Sequence, residues 1–408
     1  MLHPPARRLL RLLLPVVFLG LMMGCGSGGE ADTGGTAAAQ TVPDGEVIID
    51  DVASEEATFR VVRVVDRLEH PWAVDWLPDG RMLITERGGT LYLVNGPQRT
   101  ALSNVPEVWA ENQGGLLDVR VAPDYEATGW IYLTYAVRQG ETGGTVLSRA
   151  RLDGAALTDM EELYRQTPFL EPNYHFGSRI AFLGDGTLLV ALGERGQRRE
   201  EVIDLPTPTT SVGATVRLNR DGSVPADNPF VGSDEGLAEV YSYGHRNQQG
   251  MAIAPDGGAI WQHEHGPHGG DELNLIEPGN NYGWSVVSYG DTYSTPHEPI
   301  GDTTAPGVTD PVTYWDPSPA LSGLAFYTGD RFPAWHGHLF MGALAHQKIL
   351  RIELSEANEV VHEEELLRNE IGRIRDVATG PDGYLYVLTD GPDAGLYRLE
   401  PVDEATQS

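Results

Sequence analysis

One pattern recurs along the chain: a turn in which Asp stands beside Pro or Gly leads into a short run of residues that favour a β-strand. Copies lie at residues 77–87, 122–136, 183–195, 254–266, 328–344 and 380–390. A single small sheet cannot bury both of its faces, so such units must pack on one another. Radial closure achieves this and leaves only short strand edges. The sequence therefore predicts an all-β, six-bladed β-propeller. A β-sandwich is the alternative, but it would not explain the repeated turn.

The N-terminal residues are typical of an export signal. Arginines at positions 7, 8 and 11 precede an apolar run, residues 12–23, that is too short to span a bilayer as a permanent helix. The only cysteine, Cys25, directly follows Gly24, where a bacterial lipoprotein signal would be cleaved and the cysteine acylated. A buried structural cysteine is the alternative, and with no second cysteine no disulfide can form within the chain. We expect an exported protein, periplasmic or anchored to the outer membrane through a lipid on Cys25.

The composition divides the chain into four predicted regions. Residues 1–24 are predicted to be a lipoprotein-type signal peptide, and residues 25–57, which are rich in Gly and Ala and lack apolar periodicity, a flexible tether. The predicted propeller covers residues 58–402 and is followed by a C-terminal tail, residues 403–408. Helices are predicted to be few, with residues 160–164 and 363–368 as the best candidates.

The chain is strongly acidic, with 59 acidic and 28 basic residues and a net charge of −31. Loss of residues 1–24 would remove three arginines and no acid, leaving 25 basic residues against 59 and a net charge of −34. Such a surface repels nucleic acid and anionic lipid, so neither is an expected partner. The sequence also lacks the Gly-rich phosphate-binding motifs of nucleotide cofactors in a strand-to-helix context.

Polar chemistry is concentrated in residues 241–284, which read YSYGHRNQQG, then a strand, then HEHGPHGGDELNLIEPGNNYGW. Dense polar side chains on Gly-rich loops between short strands are typical of a binding site on a rigid β scaffold. With the motifs HPWAVDWLPDGRMLITER and NYHFGSRI, this segment resembles the soluble quinoprotein sugar dehydrogenases of the glucose/sorbosone dehydrogenase family. The resemblance runs from about His70 to Thr389. It implies an aldose dehydrogenase that uses Ca²⁺ and pyrroloquinoline quinone (PQQ), a planar ortho-quinone with three carboxylates.

The resemblance assigns roles to residues at matching positions. His175 matches the proton acceptor of the family, and imidazole suits that role because its pKa lies near neutral pH; a hydrogen-bonded core histidine is the alternative. Arg246 and Asn247, in GHRNQQG, match an Arg-Asn pair beside the cofactor, where a guanidinium can bind a carboxylate or stabilise negative charge. Gln113, in NQGGLLDV, matches another cofactor contact, although a Gln before a Gly pair could equally be turn structure.

Two further arginines, Arg373 and Arg375, stand two apart on a predicted strand and therefore point to the same face. Two like charges on one face are costly unless an anion or acid lies opposite. This favours binding of the cofactor over the alternative of a solvated salt-bridge face. The family often has a cofactor-contacting lysine where this chain has Ala345, and the only lysine, Lys348, follows three residues later. Whether Lys348 replaces that lysine stays open.

The segment HEHGPHGGDE allows two interpretations as a metal site. By the resemblance, backbone carbonyls of Gly266 and Pro267 hold the Ca²⁺ that touches PQQ, and carbonyl oxygens suit such a hard cation. Glu272 and Tyr282 match a second calcium site, the tyrosine through its carbonyl. The competing interpretation is a transition metal on imidazoles, because imidazole prefers such ions; the candidate ligands are His263, His265 and His268. No helical metal motif supports it, so we expect calcium.

The resemblance implies that aldose sugars are oxidised at the anomeric carbon to aldonolactones. His175 would take the hydroxyl proton while hydride passes to PQQ, Ca²⁺ would polarise the quinone carbonyl, and Arg246 would stabilise the developing charge. Electrons would leave to an external acceptor, a cytochrome or a quinone. Two other classes are considered. A calcium-dependent lactonase-type propeller would need carboxylate and Asn ligands clustered on the axis, and a non-catalytic surface propeller would bind glycan or protein.

Overall fold

A computed structural model of the chain describes residues 45–196 and 206–402. Within these ranges the regular secondary structure is almost entirely β-strand, arranged in six antiparallel sheets. The predicted six-bladed β-propeller is confirmed. The predicted signal peptide, the first part of the predicted tether and the C-terminal tail lie outside the described residues. Within the described ranges, no helix has the length and apolar character needed to cross a membrane.

The strands follow the chain from blade to blade. Two strands precede the first blade: β1 (Glu46–Ala53) and β2 (Thr58–Leu68). Blade 1 contains β3 (Pro71–Trp76), β4 (Met82–Glu86), β5 (Thr90–Asn95) and β6 (Gln98–Ala101). Blade 2 contains β7 (Leu116–Val121), the short helix α1 (Tyr125–Thr128), β8 (Trp130–Gln139), β9 (Thr142–Asp153) and β10 (Ala156–Arg165). Blade 3 contains β11 (Gly177–Phe182), β12 (Thr187–Leu192), β13 (Ala214–Asn219) and β14 (Val240–Tyr243).

The second half of the ring repeats this arrangement. Blade 4 contains β15 (Gln248–Ile253), β16 (Ile260–Glu264), β17 (Asp271–Leu275) and β18 (Thr313–Trp315). Blade 5 contains β19 (Leu321–Phe326), a 3₁₀ turn (Pro333–Trp335), β20 (Leu339–Ala343), β21 (Lys348–Leu354) and β22 (Val360–Leu366). Blade 6 contains β23 (Arg373–Thr379), β24 (Leu385–Asp390) and β25 (Ala394–Pro401).

Blade 6 is completed by strands from both ends of the described chain. Its sheet has the order β1-β2-β25-β24-β23, with Val61 of β2 opposite Leu399 of β25. The innermost strand of each blade contacts that of the next, and β23 contacts β3. The six sheets therefore form a closed ring.

The hydrophobic core is divided among the interfaces between blades. Six apolar clusters are found among the described residues, and each joins two neighbouring blades, including blade 6 with blade 1. Strands in the middle of a blade are buried on both faces, as in β12, where all six residues are buried. This explains why such strands read as continuous apolar runs rather than as alternating ones.

The repeated Asp turn occupies the same position in every blade. In every blade it connects the innermost strand to the second strand, as residues 77–81 connect β3 to β4. Each turn lies where the innermost strand ends, so all six turns share one side of the ring. The sequence repeat therefore marks the blades themselves.

Two predictions from the sequence were wrong in detail. Residues 160–164 and 363–368 were predicted to be helical, but 160–164 lie in β10 and most of 363–368 lies in β22. Both strands are the outermost of their blades, where polar side chains face solvent and apolar alternation is weak. The predicted tether also extended too far, because its residues 46–53 form β1.

Candidate active site

A cavity of about 330 Å³ lies at the end of the ring where the innermost strands begin, opposite the repeated turns. Four residues predicted to bind the cofactor line it together: Gln113, Asn247, Arg373 and Arg375. They come from blades 2, 4 and 6. The propeller thus collects polar side chains that are far apart in the sequence.

His175 lies beside this cavity on the loop before β11, with a left-handed backbone (φ 55°). Its N–H donates to Oε1 of Gln113 (2.8 Å), and its carbonyl accepts from the N–H of Arg195 (3.2 Å). At Gly193, an added Cβ would lie only 2.0 Å from the carbonyl oxygen of His175. Non-glycine residues adopt left-handed conformations at a cost. Here the surrounding chain holds that conformation in place.

The imidazole of His175 pairs with the carboxylate of Glu194 through Nδ1. Sequence reasoning did not single out Glu194. A carboxylate only accepts hydrogen bonds, so the neutral ring keeps its proton on Nδ1 and has its lone pair on Nε2. Burial lowers the pKa of His175 below 6.5, and the Arg246 guanidinium lowers it further, against the opposing effect of Glu194. His175 is therefore neutral at neutral pH and has the tautomer of a base.

Arg246 points toward the Gly-Pro turn after β16. Its Nη1 donates to the carbonyls of His265 (3.0 Å) and Gly266 (2.7 Å), and its guanidinium lies 5.1 Å from the ring centre of Trp284. Its backbone N–H donates to the carboxylate of Glu264. These contacts fix a largely buried cation between the cavity and the predicted metal residues.

Asn247 links blades 3 and 4. Its Oδ1 accepts from the N–H of Gly177 (3.3 Å) and from Nε2 of Gln249 (3.0 Å). Gln249, which was not predicted, also lines the cavity and accepts a hydrogen bond from Nη1 of Arg375 (3.2 Å). Asn247 and Gln249 thus connect the His175 loop to the arginines of blade 6.

Arg373 and Arg375 face one acid across the cavity wall. Asp390, at the end of β24, lies 3.2 Å from Nε of Arg373 and 3.9 Å from Nη2 of Arg375. It also lies 3.1 Å from Nδ1 of His70. The sequence predicted that the paired arginines needed an anion or acid opposite, but it did not identify Asp390. Within the described ranges, Asp390 is the one carboxylate that forms ion pairs with both arginines.

In the part of the chain that the structure describes, the arginines lining the cavity carry more positive charge than Asp390 balances. Burial lowers the pKa of Arg375 to about 10; Asp390 opposes that effect, while Arg87, Arg179 and Arg373 lower the pKa further. Arg87 also lines the cavity and was not predicted. The cavity disfavours the positive charge of Arg375. An anionic ligand bound beside Arg375 would stabilise that charge.

Lys348 does not line the cavity. It begins β21 opposite Ala343, is buried, and pairs with Glu365. Ala345, at the position where the family often has lysine, is exposed next to Leu344, which does line the cavity. The single lysine therefore has a structural partner away from the site.

The carbonyls of Gly266 and Pro267, which are predicted to bind calcium, lie in the turn that Arg246 contacts. The Gly266 carbonyl accepts from Arg246, and the Pro267 carbonyl accepts from the hydroxyl of Tyr293 (2.8 Å). The N–H of Gly266 donates to Asp271 (3.0 Å). Hydrogen bonds therefore fix the turn at the N–H of Gly266 and at the carbonyl oxygens of Gly266 and Pro267.

A second, much smaller cavity of about 10 Å³ lies beneath this turn. Gly266, Glu272 and Tyr282 line it together with Glu264, which faces Glu272 across the pairing of β16 with β17. Burial raises the pKa of Glu272 well above its usual range, and the nearby Glu264 raises it further. Two facing carboxylates, Glu264 buried and Glu272 partly buried, beside a cavity of this size are a favourable arrangement for a single cation.

The histidines of this segment are engaged with neighbouring groups. Nε2 of His263 lies 3.0 Å from the Gly323 carbonyl, and Nε2 of His265 lies 2.6 Å from the Leu321 carbonyl. Burial lowers the pKa of each to about 3. His268 stacks on His297, with ring centres 3.9 Å apart. Among the described residues, no group of three His, Cys, Asp or Glu side chains could hold a metal ion, so the imidazole interpretation gains no support.

Comparisons with known proteins agree with this geometry. A family model described as Glucose / Sorbosone dehydrogenase matches residues 68–398. The chain is 44% identical over 359 residues to aldose sugar dehydrogenase YliI of Escherichia coli strain K12, covering 85% of this chain and 94% of that protein. The solved soluble aldose sugar dehydrogenase of Escherichia coli in the apo-form has a TM-score of 0.79 and 42% identity, covering 84% of this chain and 100% of the other. The PQQ-bound form of aldose sugar dehydrogenase from Streptomyces coelicolor has a TM-score of 0.67 and 29% identity, covering 83% and 96%.

Proposed function

The chain belongs to the glucose/sorbosone dehydrogenase family, and from that premise we propose that it oxidises aldose sugars at the anomeric carbon with PQQ and Ca²⁺. It is a sugar dehydrogenase by family. The proposal adds the product, an aldonolactone, and the residues that bind the cofactor and move the proton. Electrons would leave to an external acceptor of the cytochrome or quinone type.

The proposal rests mainly on two buried guanidinium groups whose Nε atoms lack hydrogen-bond partners in the described part of the chain. Among the described residues, Nε of Arg246 and Nε of Arg375 are buried and have no hydrogen-bond partner. A buried polar atom without a partner is costly. A ligand with carboxylates and quinone oxygens would supply the acceptors. Arg373 and Arg375 would hold carboxylates, while Gln113, Arg246 and Asn247 would contact the rest of the cofactor.

The donor set beside Arg246 fits calcium. Hard cations prefer oxygen ligands, including backbone carbonyls. The carbonyls of Gly266 and Pro267 each accept one hydrogen bond, which leaves each oxygen a second lone pair for a cation. Glu272, with the carbonyl of Tyr282, would hold a second Ca²⁺ at the 10 Å³ cavity. A cation there would relieve the repulsion between Glu264 and Glu272. Bound in these places, PQQ and Ca²⁺ supply the electron-accepting chemistry that no side chain provides.

The protein's own contribution to the reaction is a positioned base. His175 would accept the proton of the anomeric hydroxyl at Nε2, because Glu194 holds the proton of the neutral ring on Nδ1. After the transfer, the same carboxylate would stabilise the imidazolium. Oxidation removes two electrons and two protons from the sugar and leaves the lactone.

The carboxylates on the axis do not favour a lactonase. Asp118 and Asp376 are buried there, and both are paired with Arg179, at 3.4 and 2.9 Å. A calcium-dependent hydrolase would need such carboxylates as metal ligands. Here they neutralise an arginine.

The test is reconstitution of the protein purified without cofactor. Sugar-dependent reduction of an artificial dye should appear only when PQQ and Ca²⁺ are added together, and NMR of the product should show the aldonolactone. Dye reduction without PQQ, or hydrolysis of added lactone without dye reduction, would contradict the proposal.

A further inference from the structure

We propose that Arg87 binds a carboxylate of the cofactor, as a third guanidinium beside Arg373 and Arg375. This inference rests on the proposed function and extends it to a residue that the sequence motifs did not identify. It is carried by the position of Arg87, by its hydrogen bonds and by the charge of the cavity wall.

The backbone of Arg87 is fixed between blades 1 and 2. The residue directly follows β4, its N–H donates to the carbonyl of His70 (3.0 Å), and its carbonyl accepts from the N–H of Leu116 (3.2 Å). A Cβ added at Gly115, where φ is 133°, would lie 2.0 Å from the carbonyl oxygen of Arg87. Only glycine permits so close an approach. The side chain therefore starts from a defined point in the cavity wall.

The guanidinium of Arg87 is only partly satisfied by the protein. Its Nη1 donates to the carbonyl of Asn112 (2.7 Å), whereas its Nε is buried and has no partner in the part of the chain that the structure describes. Asp390 pairs with Arg373 and Arg375, and no described carboxylate forms an ion pair with Arg87. A guanidinium in a cavity wall without an acid needs an acceptor from a ligand.

The charges in the wall agree with that need. Among the described residues, three guanidinium groups, Arg87, Arg373 and Arg375, line the cavity with one carboxylate, Asp390. PQQ carries three carboxylates, so two arginines shared with an internal acid leave the ligand short of cationic partners. Arg87 supplies a further cation, and its planar group can form paired bonds to a carboxylate.

The experiment compares binding of two ligands to the cofactor-free protein in the presence of Ca²⁺. Quenching of tryptophan fluorescence reports binding, because Trp72 lines the cavity. One ligand is PQQ; the other is its trimethyl ester, which keeps the rings but lacks the carboxylate charges. The variants are Arg87→Gln and, as a matched control, Arg99→Gln, which removes an exposed arginine from the same blade.

Arg87→Gln should weaken PQQ binding by about 10- to 100-fold, as expected for loss of a charge-assisted bond. It should change binding of the trimethyl ester by less than about threefold, and Arg99→Gln should leave both affinities within that range. If Arg87→Gln does not fold, Arg87→Met retains the aliphatic stem and allows the same comparison.

Three outcomes would overturn the assignment. Unchanged PQQ affinity in Arg87→Gln would show that Arg87 does not contact the ligand. Equal losses for PQQ and its ester would show that Arg87 only supports the loop of Asn112. In both cases the proposed function would stand. Absence of saturable PQQ binding by the unaltered protein would overturn the proposed function and the role of Arg87 together.

Discussion

At the scale of single residues, the feature that most favours catalysis is the preparation of His175 as a base. Gln113 and Arg195 hold its backbone, Glu194 fixes its tautomer, and Arg246 helps to keep it neutral. These contacts come from three segments of the chain, because Glu194 and Arg195 are neighbours in the sequence. A change at any of them should therefore affect the reaction without removing the cavity.

Replacing the base should separate catalysis from binding. His175→Gln should reduce turnover by about 10²- to 10⁴-fold, the usual contribution of a positioned base, while PQQ affinity changes little. Steady-state dye reduction and fluorescence titration measure the two effects. His336→Gln, on the side of the ring with the repeated turns, is the control and should keep turnover. Turnover of His175→Gln within threefold of the unaltered enzyme would refute the assignment.

The pKa of His175 gives a prediction for the cofactor-free protein. Since burial places this pKa below 6.5, protonation favours the unfolded chain, and stability falls as pH drops from about 6.5 through the lowered value. Glu194→Gln should lower the pKa further, because Glu194 opposes the shift. NMR titration of histidine resonances, assigned with His175→Gln, measures both values. A higher pKa in Glu194→Gln would contradict the pairing.

The two arginines of β23 should differ in importance. Arg375 has 10% of its side chain exposed and Arg373 has 47%, so solvent screens Arg373 more strongly. Arg375→Ala should raise the PQQ concentration needed for half-maximal reconstitution by about 10-fold or more, and Arg373→Ala by less. Titration of activity with PQQ measures this. Unchanged curves for both variants would indicate a plain surface pair.

The sequence predicted part of this site and missed the rest for a physical reason. Gln113, His175, Arg246 and the arginines of β23 stand in local motifs, and the structure places all of them in or beside the cavity. Glu194, Asp390 and Arg87 were missed because they stand at strand ends, and only the pairing of blades brings them to the site. The need for an acid near the arginines could be predicted from repulsion, but its identity could not.

At the scale of elements, the pairing of strands β16 and β17 places two acidic residues opposite each other. Glu264, which is buried, faces Glu272, which is partly buried, across this strand pairing. Nothing in the alternating pattern of the sequence indicated that these two acids would be opposite each other. The helices predicted at residues 160–164 and 363–368 failed similarly, because outer strands with charged faces carry little periodic signal.

This acid pair predicts that Ca²⁺ stabilises the fold. The melting temperature of the unaltered protein should rise on addition of Ca²⁺ and fall back with EDTA, and Glu272→Gln should remove most of the rise. Glu272→Gln should also melt no lower than the unaltered protein in EDTA, because it ends the repulsion. Differential scanning fluorimetry measures both effects. Glu277→Gln, an exposed acid, is the control; an undiminished Ca²⁺ effect in Glu272→Gln would contradict the site.

At the scale of the whole molecule, the six repeated turns were sufficient to predict the blades, but not how the ring closes. β2 contributes fully buried residues, Phe59, Val61 and Leu68, to the cores on both sides of blade 6. β1 is mostly exposed. The two N-terminal strands therefore differ greatly in what they contribute to stability.

Truncation separates these contributions. Removal of residues 1–57 deletes β1 and should lower the melting temperature by about 5 °C or less, because little apolar surface is lost. Removal of residues 1–69 also deletes β2, opens two core clusters and should abolish cooperative unfolding. Thermal melts followed by circular dichroism measure both. A cooperative melt of the shorter chain near that of the longer one would refute the role of β2.

The closure of blade 6 also sets an order of events during biosynthesis. β2 is among the first strands to leave the ribosome, whereas β25, its partner in blade 6, is among the last, so β2 can pair only with β1 while blades 1 to 5 are made. Bringing such distant segments together carries a loop-closure cost and slows folding. An incomplete chain has an open ring with unpaired edges at blade 6. The ring can therefore close only after β25 has been made and has paired with β2.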